Sequence, residues 1–216
     1  MITRDQTPFD KLDILHTVAQ AITDATDEDH LIAQATELIG ENLFPDNFGL
    51  LLMDGKNDAL RVHPSYRINK KLSEEEYFVP IEQSFVGHVA RTGRPERIAD
   101  VRSSLNYKNF DPETRSELAV PLILGKRTIG VINAERKIPH GFSDSNERFL
   151  VILASQISTA IAHLRTVKTE NRNAEVLAVL LELSQQFSQQ LDIERVLAET
   201  YEVISRLLDT SNFYIA

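Results

Sequence analysis

The sequence predicts an α+β fold, in which helices cover one face of an antiparallel sheet and a long connecting helix follows. Two segments with helical periodicity open the chain, short apolar segments with close turns come next, and another helical pattern follows them. Strands that follow one another through short turns pair as antiparallel hairpins. Helices placed before and after such a sheet bury their apolar stripes on one of its faces, which is an α+β arrangement.

Two amphipathic helices are predicted before the first strand. In residues 10–25 apolar side chains recur every three or four positions, the spacing of one helix face. Asp27 is a suitable N-cap for a second helix, because its carboxylate can accept the first free backbone N–H groups. Pro45 ends this second helix, so the first strand begins just after it.

The strands are predicted where short apolar runs lie between turn residues. The four longest are Phe48–Met53, Ala59–Tyr66, Leu118–Leu124 and Thr128–Ala134. Between the two pairs, Ser84 can cap a short helix that ends at Gly93, and residues 101–115 are predicted to be a surface loop. Ser143 or Asp144 begins the last long helix.

Composition limits the classes of function. The formal net charge is −9, which disfavours nucleic acid and anionic membrane as partners because both need a basic surface. The longest apolar runs, Phe48–Met53 and Phe149–Ala154, are far shorter than the roughly 20 residues of a membrane-spanning helix. There is no cysteine, so disulfides, thiolate metal sites and thiol chemistry are excluded from this sequence. A cytoplasmic location is expected.

The end of the chain repeats its beginning. When Ile14 is placed over Val179, the two stretches align without a gap, and Asn47-Phe48 falls on Asn212-Phe213. A repeat of this length indicates one structural unit used twice. The predicted organisation is a complete domain over residues 1–160, a helical linker over 161–178 and the N-terminal part of a second, similar domain over 179–216.

Motifs between residues 84 and 164 resemble the GAF family of sensory domains. In order they are Gly93-Arg94-Pro95, Ile98-Ala99-Asp100-Val101, Arg115–Leu122, Gly130-Val131-Ile132-Asn133, Phe142-Ser143-Asp144 and Leu153–Ile157. Their order and spacing together are more specific than any one of them. The resemblance implies a six-stranded antiparallel sheet with helices behind it and a small-molecule pocket on the other face, under the short helix and the loop.

The resemblance and the strand alternation together give the candidate ligand-binding residues. Alternation places Phe48, Leu50 and Leu52 on one face of the first strand and Gly49, Leu51 and Met53 on the other, and it leaves open which set faces the pocket. Each candidate also has an ordinary structural alternative, as a core side chain, a cap or a turn residue. The candidates are Phe48, Leu50, Leu52, Ser84, Phe85, Asp100, Tyr107, Phe110, Glu117, Ala119 and Asn133.

Two classes of ligand are disfavoured by comparison with family members. Cyclic-nucleotide-binding members carry Asn-Lys followed by Phe-x-x-x-Asp-Glu, and this chain has Ala134 and Asn146 at the two charged positions. The ion pair between those positions therefore cannot form. Members that use cysteine, the bilin photoreceptors and the free methionine sulfoxide reductases, are disfavoured because no thiol is present. The spacing of the six histidines is not that of a metal site, so no metal or other cofactor is expected, and the non-covalent ligand stays unidentified.

A heptad pattern runs through the last helix and predicts a parallel helical dimer. The seam positions are Leu150, Leu153, Ile157, Ala160, Leu164, Val167, Asn171, Ala174, Ala178 and Leu181. An asparagine at one seam position favours a two-stranded coiled coil in a fixed register. The alternative is that Leu150–Leu164 packs on the sheet of its own domain, and one helix can do both with different faces.

The function predicted is a non-catalytic, small-molecule-sensing and dimerisation module of a bacterial signalling protein. In this interpretation the connecting helix transmits a rotation or register shift to an output domain. The segment itself is expected not to be an enzyme. The alternatives are a purely structural dimerisation module with a collapsed pocket and a thiol-independent enzyme. They differ in what the cleft contains: converging polar groups, filling aromatic side chains, or a titratable pair in hydrogen-bond contact.

Overall fold

A computed structural model describes residues 11–44, 46–55, 58–69, 72–103, 111–189 and 193–206. Tyr107 and Phe110, two of the candidate ligand-binding residues, lie outside these ranges. The chain divides into two compact units, one up to Leu164 and the other from Arg165.

The helices and strands occur in the predicted order. The helices are α1 (Lys11–Asp24), α2 (Glu28–Leu43), α3 (Phe85–Thr92), α4 (Asp144–Gln189) and α5 (Ile193–Ser205). The strands are β1 (Asn47–Asp54), β2 (Ala59–Val62), β3 (Phe78–Pro80), β4 (Glu96–Ile98), β5 (Ser116–Leu124) and β6 (Arg127–Arg136). The predicted cap of α2 is confirmed, because the Asp27 carboxylate accepts the His30 backbone N–H at 2.8 Å.

The six strands form one antiparallel sheet in the order β3-β2-β1-β6-β5-β4. The predicted α+β class and sheet are therefore confirmed. Strand β2 is shorter than predicted, because His63 and Ser65 turn the chain after Val62. The central strands β1 and β6 pair in a register that places Gly49 opposite Asn133 and Leu50 opposite Ile132.

The larger core lies between one face of the sheet and the helices α1, α2 and the first part of α4. Alternate residues of the strands point into it, among them Leu50, Leu118 and Ile132. Phe44 and Phe48 stack there with ring centroids 5.6 Å apart. This is the layered arrangement that the amphipathic helices predicted.

A smaller apolar core lies on the opposite face of the sheet, under α3. Its strand residues include Leu51, Ala119 and Val131, and Val86 and Val89 of α3 cover them. Helix α3 is capped at both ends as predicted, by Ser84 at its start and by Gly93, with φ of 63°, at its end. The two cores place a buried surface on each side of β1 and β6.

The first half of the predicted dimer seam is wrong. Leu150, Leu153, Ile157 and Ala160 are buried in the larger core of their own unit, and Leu164 packs against it. A helix that packs on a sheet needs an apolar stripe with the same three- and four-residue spacing as a coiled-coil seam, so the pattern alone does not distinguish the two. The alternative, that this stretch packs on the domain's own sheet, is what the structure has.

The second half of the seam is exposed. Val167, Asn171, Ala174, Ala178 and Leu181 all lie on the surface of the second unit. Within the same unit Leu183 of α4 and Val203 of α5 are buried.

One described helix, over Asp144–Gln185, is long and apolar enough by length and composition to cross a membrane. Of its most apolar stretch, 39% is buried inside the protein. Core helices of globular proteins meet the same criteria, and the burial of Leu150 and Leu153 is typical of such a helix.

Candidate functional site

A narrow cleft lies between the sheet and α3, on the face that carries the smaller core. It encloses about 270 Å³ of space not filled by atoms, part of it open to solvent. The walls are mostly apolar, with two polar side chains at one end. The lining residues are Leu51, Val62, Tyr66, Ile68, Leu72, Val86 and Asn133.

Gly49 allows Tyr66 to lie flat against strand β1. A Cβ added at Gly49 would stand 2.4 Å from Tyr66 Cδ2 and 2.9 Å from Tyr66 Cα. Such distances are too short for any other residue without movement of the Tyr66 backbone. Glycine within a strand often marks this kind of close approach, and here it seats an aromatic wall of the cleft.

The polar end of the cleft is built around the carboxyl of Glu135. One of its oxygens, Oε2, accepts hydrogen bonds from the Thr114 hydroxyl at 2.6 Å and the Asn47 amide at 3.0 Å. The other, Oε1, accepts from the Asn133 amide at 3.2 Å and the Tyr66 hydroxyl at 3.4 Å. All four donors are neutral groups. We refer to these five residues, Asn47, Tyr66, Thr114, Asn133 and Glu135, as the polar cluster.

Burial shifts the acid–base equilibria of the polar cluster. It raises the pKa of Glu135 above the ordinary glutamate value, although the hydrogen bonds from Thr114 and Asn47 act in the opposite direction. Burial also raises the pKa of Tyr66 well above its usual range, and the carboxyls of Glu135 and Glu117 add to that effect. Glu117 is buried and lies directly opposite Glu135 on the neighbouring strand. The cluster is thus a region where negative charge is costly and a positive or donating group is welcome.

Asn133 presents a buried acceptor to the cleft. Its amide nitrogen donates to the Tyr66 hydroxyl oxygen at 3.0 Å as well as to Glu135, which uses both amide hydrogens. Its carbonyl oxygen Oδ1 is buried and has no hydrogen-bond partner among the residues that the structure describes. Buried acceptors in folded proteins are nearly always paired. The unpaired Oδ1 therefore belongs to a residue that lines the cleft.

The three candidate residues on β1 do not line the cleft, which settles the face of this strand that the sequence left open. Phe48, Leu50 and Leu52 point into the larger core, towards the helices, and the cleft is lined by Leu51 instead. Because β1 is a central strand that is buried on both faces, its apolar residues carry no alternation that would reveal the orientation.

Three other candidates have structural roles in the described residues. The Ser84 hydroxyl caps α3 by accepting the Gly87 N–H at 3.0 Å. Phe85 is half-buried and packs against the smaller core beside the cleft. Asp100 fixes a turn: it pairs with Arg115 at 2.6 Å, accepts the Arg102 N–H, and the Arg115 contact holds the pKa of its carboxyl low.

The remaining candidates lie on the cleft face of the sheet. Asn133 lines the cleft itself, Ala119 is buried in the smaller core, and Glu117 neighbours Glu135. The other four members of the polar cluster were not among the predicted site residues: Asn47, Tyr66, Thr114 and Glu135. One signal points to Glu135: it lies two residues after Asn133 on the same strand, so the two side chains share a face of the sheet.

Sequence comparison finds relatives in a mammal and in a bacterium. Over 167 residues the chain is 25% identical to the cone cGMP-specific 3',5'-cyclic phosphodiesterase subunit alpha' of Mus musculus, which is 72% of this chain and 19% of the relative. Over 84 residues it is 24% identical to protein YtsP of Bacillus subtilis, which is 39% of this chain and 52% of the relative. The chain thus spans only a part of these curated relatives.

Structural comparison finds the same fold in a GAF domain and in an enzyme. The GAF domain of a phosphoenolpyruvate-protein phosphotransferase from Acinetobacter matches with a TM-score of 0.61 and 22% identity, over 74% of this chain and 97% of that one. A free methionine-R-sulfoxide reductase from Neisseria meningitidis, solved with its substrate, matches with a TM-score of 0.68 and 20% identity, over 77% and 97%.

The second likeness corrects one prediction. Free methionine-R-sulfoxide reductases from Neisseria meningitidis and from Staphylococcus aureus are enzymes with this fold. The prediction that the segment is not an enzyme is therefore contradicted. Because the sequence identities are this low, the structural similarities establish the shared fold only.

The family of this chain is established by a match to a family model. A family model described as a GAF domain matches residues 25–162, more than half of the chain. The matched region contains the sheet, α3 and the polar cluster, and the likenesses in sequence and structure agree with it. This chain belongs to the GAF domain family.

Proposed function

We propose that the first unit binds a small molecule in the cleft under α3 and serves as the sensory module of a signalling protein. The observation that carries the proposal is that Asn133 lines the cleft and that its buried Oδ1 lacks a partner among the described residues. A bound donor would satisfy it. The similarity to parts of larger signalling proteins supports the sensory role.

The cleft favours a molecule with an apolar body and a donating end. Leu51, Val62 and Val86 offer apolar surface, while Asn133 and the Glu135 carboxyl behind it offer acceptors. Ligand pockets commonly combine such walls with a few placed polar groups. An ammonium, amide or amidine group on a small ligand fits this end of the cleft, because the local field disfavours further negative charge.

A structural module with a collapsed pocket is the second candidate. The observation in its favour is size, since the 270 Å³ includes open solvent and the enclosed part of the cleft has room for about one water molecule. Phe85 also packs beside the cleft. In this case the chain would carry no ligand and would bind none.

Native mass spectrometry of the purified chain, with and without a panel of amino acids, amines and nucleotides, tests the proposal. We expect a retained or added small molecule on the wild-type chain. Gly49→Ala pushes the Tyr66 ring out of its seat and so should abolish the bound species. Gly55→Ala is the matched control, because nothing lies within 4 Å of a Cβ at that position. A wild-type chain with no bound species and no thermal shift for any compound would favour the structural module.

We also propose that the second unit begins another GAF-like domain. When Ile14 is placed over Val179, the end of α1 at Asp24 coincides with the end of α4 at Gln189. The start of α2 at Glu28 likewise coincides with the start of α5 at Ile193. Val18 and its counterpart Leu183 are both buried. These correspondences support a tandem arrangement.

We further propose that α4 pairs with the same helix of a second copy through its exposed seam, from Val167 to Leu181. Leu181 is 63% exposed, which is costly for a large apolar side chain without a partner. We expect Leu181→Glu to shift the chain from dimer to monomer in multi-angle light scattering at several concentrations. Val176→Glu is the matched control, since Val176 is also exposed but lies off the seam. A monomeric wild-type chain at high concentration would contradict the proposal.

A further inference from the structure

His63 is a buried titratable side chain that takes no part in the proposed binding site. It follows the last residue of β2, and its ring lies between the turn over residues 63–66 and helix α2. Nδ1 lies 2.8 Å from the Ser65 hydroxyl and accepts the Ser65 backbone N–H at 3.2 Å. Nε2 lies 3.3 Å from a carboxylate oxygen of Asp29. The ring therefore joins the turn to α2.

The hydrogen bonds fix the protonation state of this ring. Since the Ser65 backbone N–H can only donate, Nδ1 has to be unprotonated to accept it. The single ring proton of a neutral imidazole then sits on Nε2 and points to Asp29. The Ser65 hydroxyl, 2.8 Å from the same nitrogen, then donates its one hydrogen to Nδ1, and its oxygen lies 3.3 Å from the Thr36 hydroxyl, which ties the turn to α2 a second time.

The same turn positions Tyr66 in the wall of the cleft. The Tyr66 backbone N–H donates to the His63 carbonyl at 2.9 Å. The Tyr66 ring then lies against Gly49, and its hydroxyl contacts Asn133 and Glu135. A change in the turn at His63 is thus transmitted directly to one wall of the cleft.

The charged groups around His63 act in opposite directions. Asp29 and Glu28 on α2 favour the protonated imidazole, whereas Arg61 on β2 and burial of the ring disfavour it. Burial is the strongest of these effects, so the pKa of His63 lies below its usual value. The neutral ring seen in the hydrogen bonds agrees with that direction.

We propose that protonation of His63 releases the turn over residues 63–66 and withdraws Tyr66 from the wall of the cleft, so that acid opens the polar end of the site. A proton on Nδ1 would take away the acceptor of the Ser65 backbone N–H at 3.2 Å; the Ser65 hydroxyl at 2.8 Å can turn to accept that proton, but the N–H cannot. The contact between His63 and Ser65 lies within the turn, so its loss loosens the turn. The contact with Asp29 meanwhile keeps the His63 ring in place. The consequence for a ligand rests on the proposed function, but the state of Tyr66 can be measured without any ligand.

The experiment follows His63 and Tyr66 together by NMR in the full, ligand-free chain. The chemical shift of the His63 ring gives its titration midpoint, and backbone amide exchange gives the protection of Tyr66 and Arg67. We expect protection of these amides to fall by roughly ten-fold as His63 titrates, the scale of a local opening. The midpoints of the two changes should coincide. Because no ligand is added, failure here leaves the binding proposal untouched, and the reverse also holds.

A charge variant on α2 makes the test decisive. Asp29 is 83% exposed, so Asp29→Asn should leave the fold intact while removing the attraction that favours protonated His63. Both midpoints are then expected to move to lower pH together. Asp24→Asn, also exposed on a helix of the same unit, is the matched control and should move neither. Constant Tyr66 protection through the His63 titration would overturn the proposal, as would an Asp29→Asn variant in which only the His63 midpoint moves.

Discussion

Ile157→Ala lowers the free energy of unfolding of the first unit by about 2–5 kcal/mol, the usual cost of removing a buried isoleucine side chain beyond Cβ. Ile157 is 0% exposed and packs in the larger core between α4 and the sheet. The loss combines the transfer of its apolar surface and the cavity that remains. Urea denaturation of the full chain, with hydrogen exchange read on peptides of β5 and β6, measures the change in this unit.

Ile152→Ala is the matched control for this prediction. It makes the same substitution on the same helix, but Ile152 is 49% exposed, and we expect a change within about 0.5 kcal/mol, as for most surface sites. Equal losses for the two variants would contradict the assignment of Ile157 to the core. If Ile157→Ala weakened dimerisation but hardly changed the free energy of unfolding, Ile157 would belong to the predicted dimer seam instead.

This pair of variants also shows what the sequence could and could not predict. Three- and four-residue spacing identified α4 correctly, because an apolar stripe is needed whatever the helix packs against. The partner of the stripe is not contained in the spacing. Residues from Leu150 to Ala160 pack on their own sheet, whereas those from Val167 onwards are exposed, although the heptad runs through both stretches.

The candidate site shows a similar division. The motifs around Asn133 located the polar end of the cleft, because polar residues in an apolar strand are informative about position. The orientation of β1 was not predictable from its own residues, since both of its faces are buried and both are apolar. Tyr66 was not predictable either, because it lies in a turn and reaches the cleft only through its contact with Gly49.

Glu135→Gln separates the stability of the first unit from its capacity to bind. The pKa of Glu135 is raised by burial from an ordinary value of 4.5. Between that value and the raised one, the folded chain holds a proton that the unfolded chain has released. Stability from this group is therefore fully present below pH 4.5 and is lost as the pH rises through the folded-state value. Glutamine does not titrate, so we expect the stability of the variant relative to wild type to increase as the pH rises through this interval.

The comparison isolates Glu135 from the other buried titratable group. His63 has a lowered pKa, so its contribution has the opposite sign: stability is lost as the pH falls through its folded-state value. Because His63 is present in both proteins, this contribution cancels in the difference between them. Denaturation curves at several pH values give that difference. A constant difference between Glu135→Gln and wild type would contradict the prediction.

The binding measurement completes the argument. Ionising a buried carboxyl costs free energy. If Glu135 served stability alone, a residue that does not ionise would serve better at this position. In the proposed site its acceptor oxygens hold the Asn133 and Tyr66 side chains in place and favour a donating ligand. We therefore expect Glu135→Gln to weaken the retained species in native mass spectrometry, even though its stability relative to wild type increases as the pH rises. A variant that gains stability and binds as well as wild type would mean that Glu135 does not contribute to recognition, and it would move the ligand-binding role to Asn133 alone.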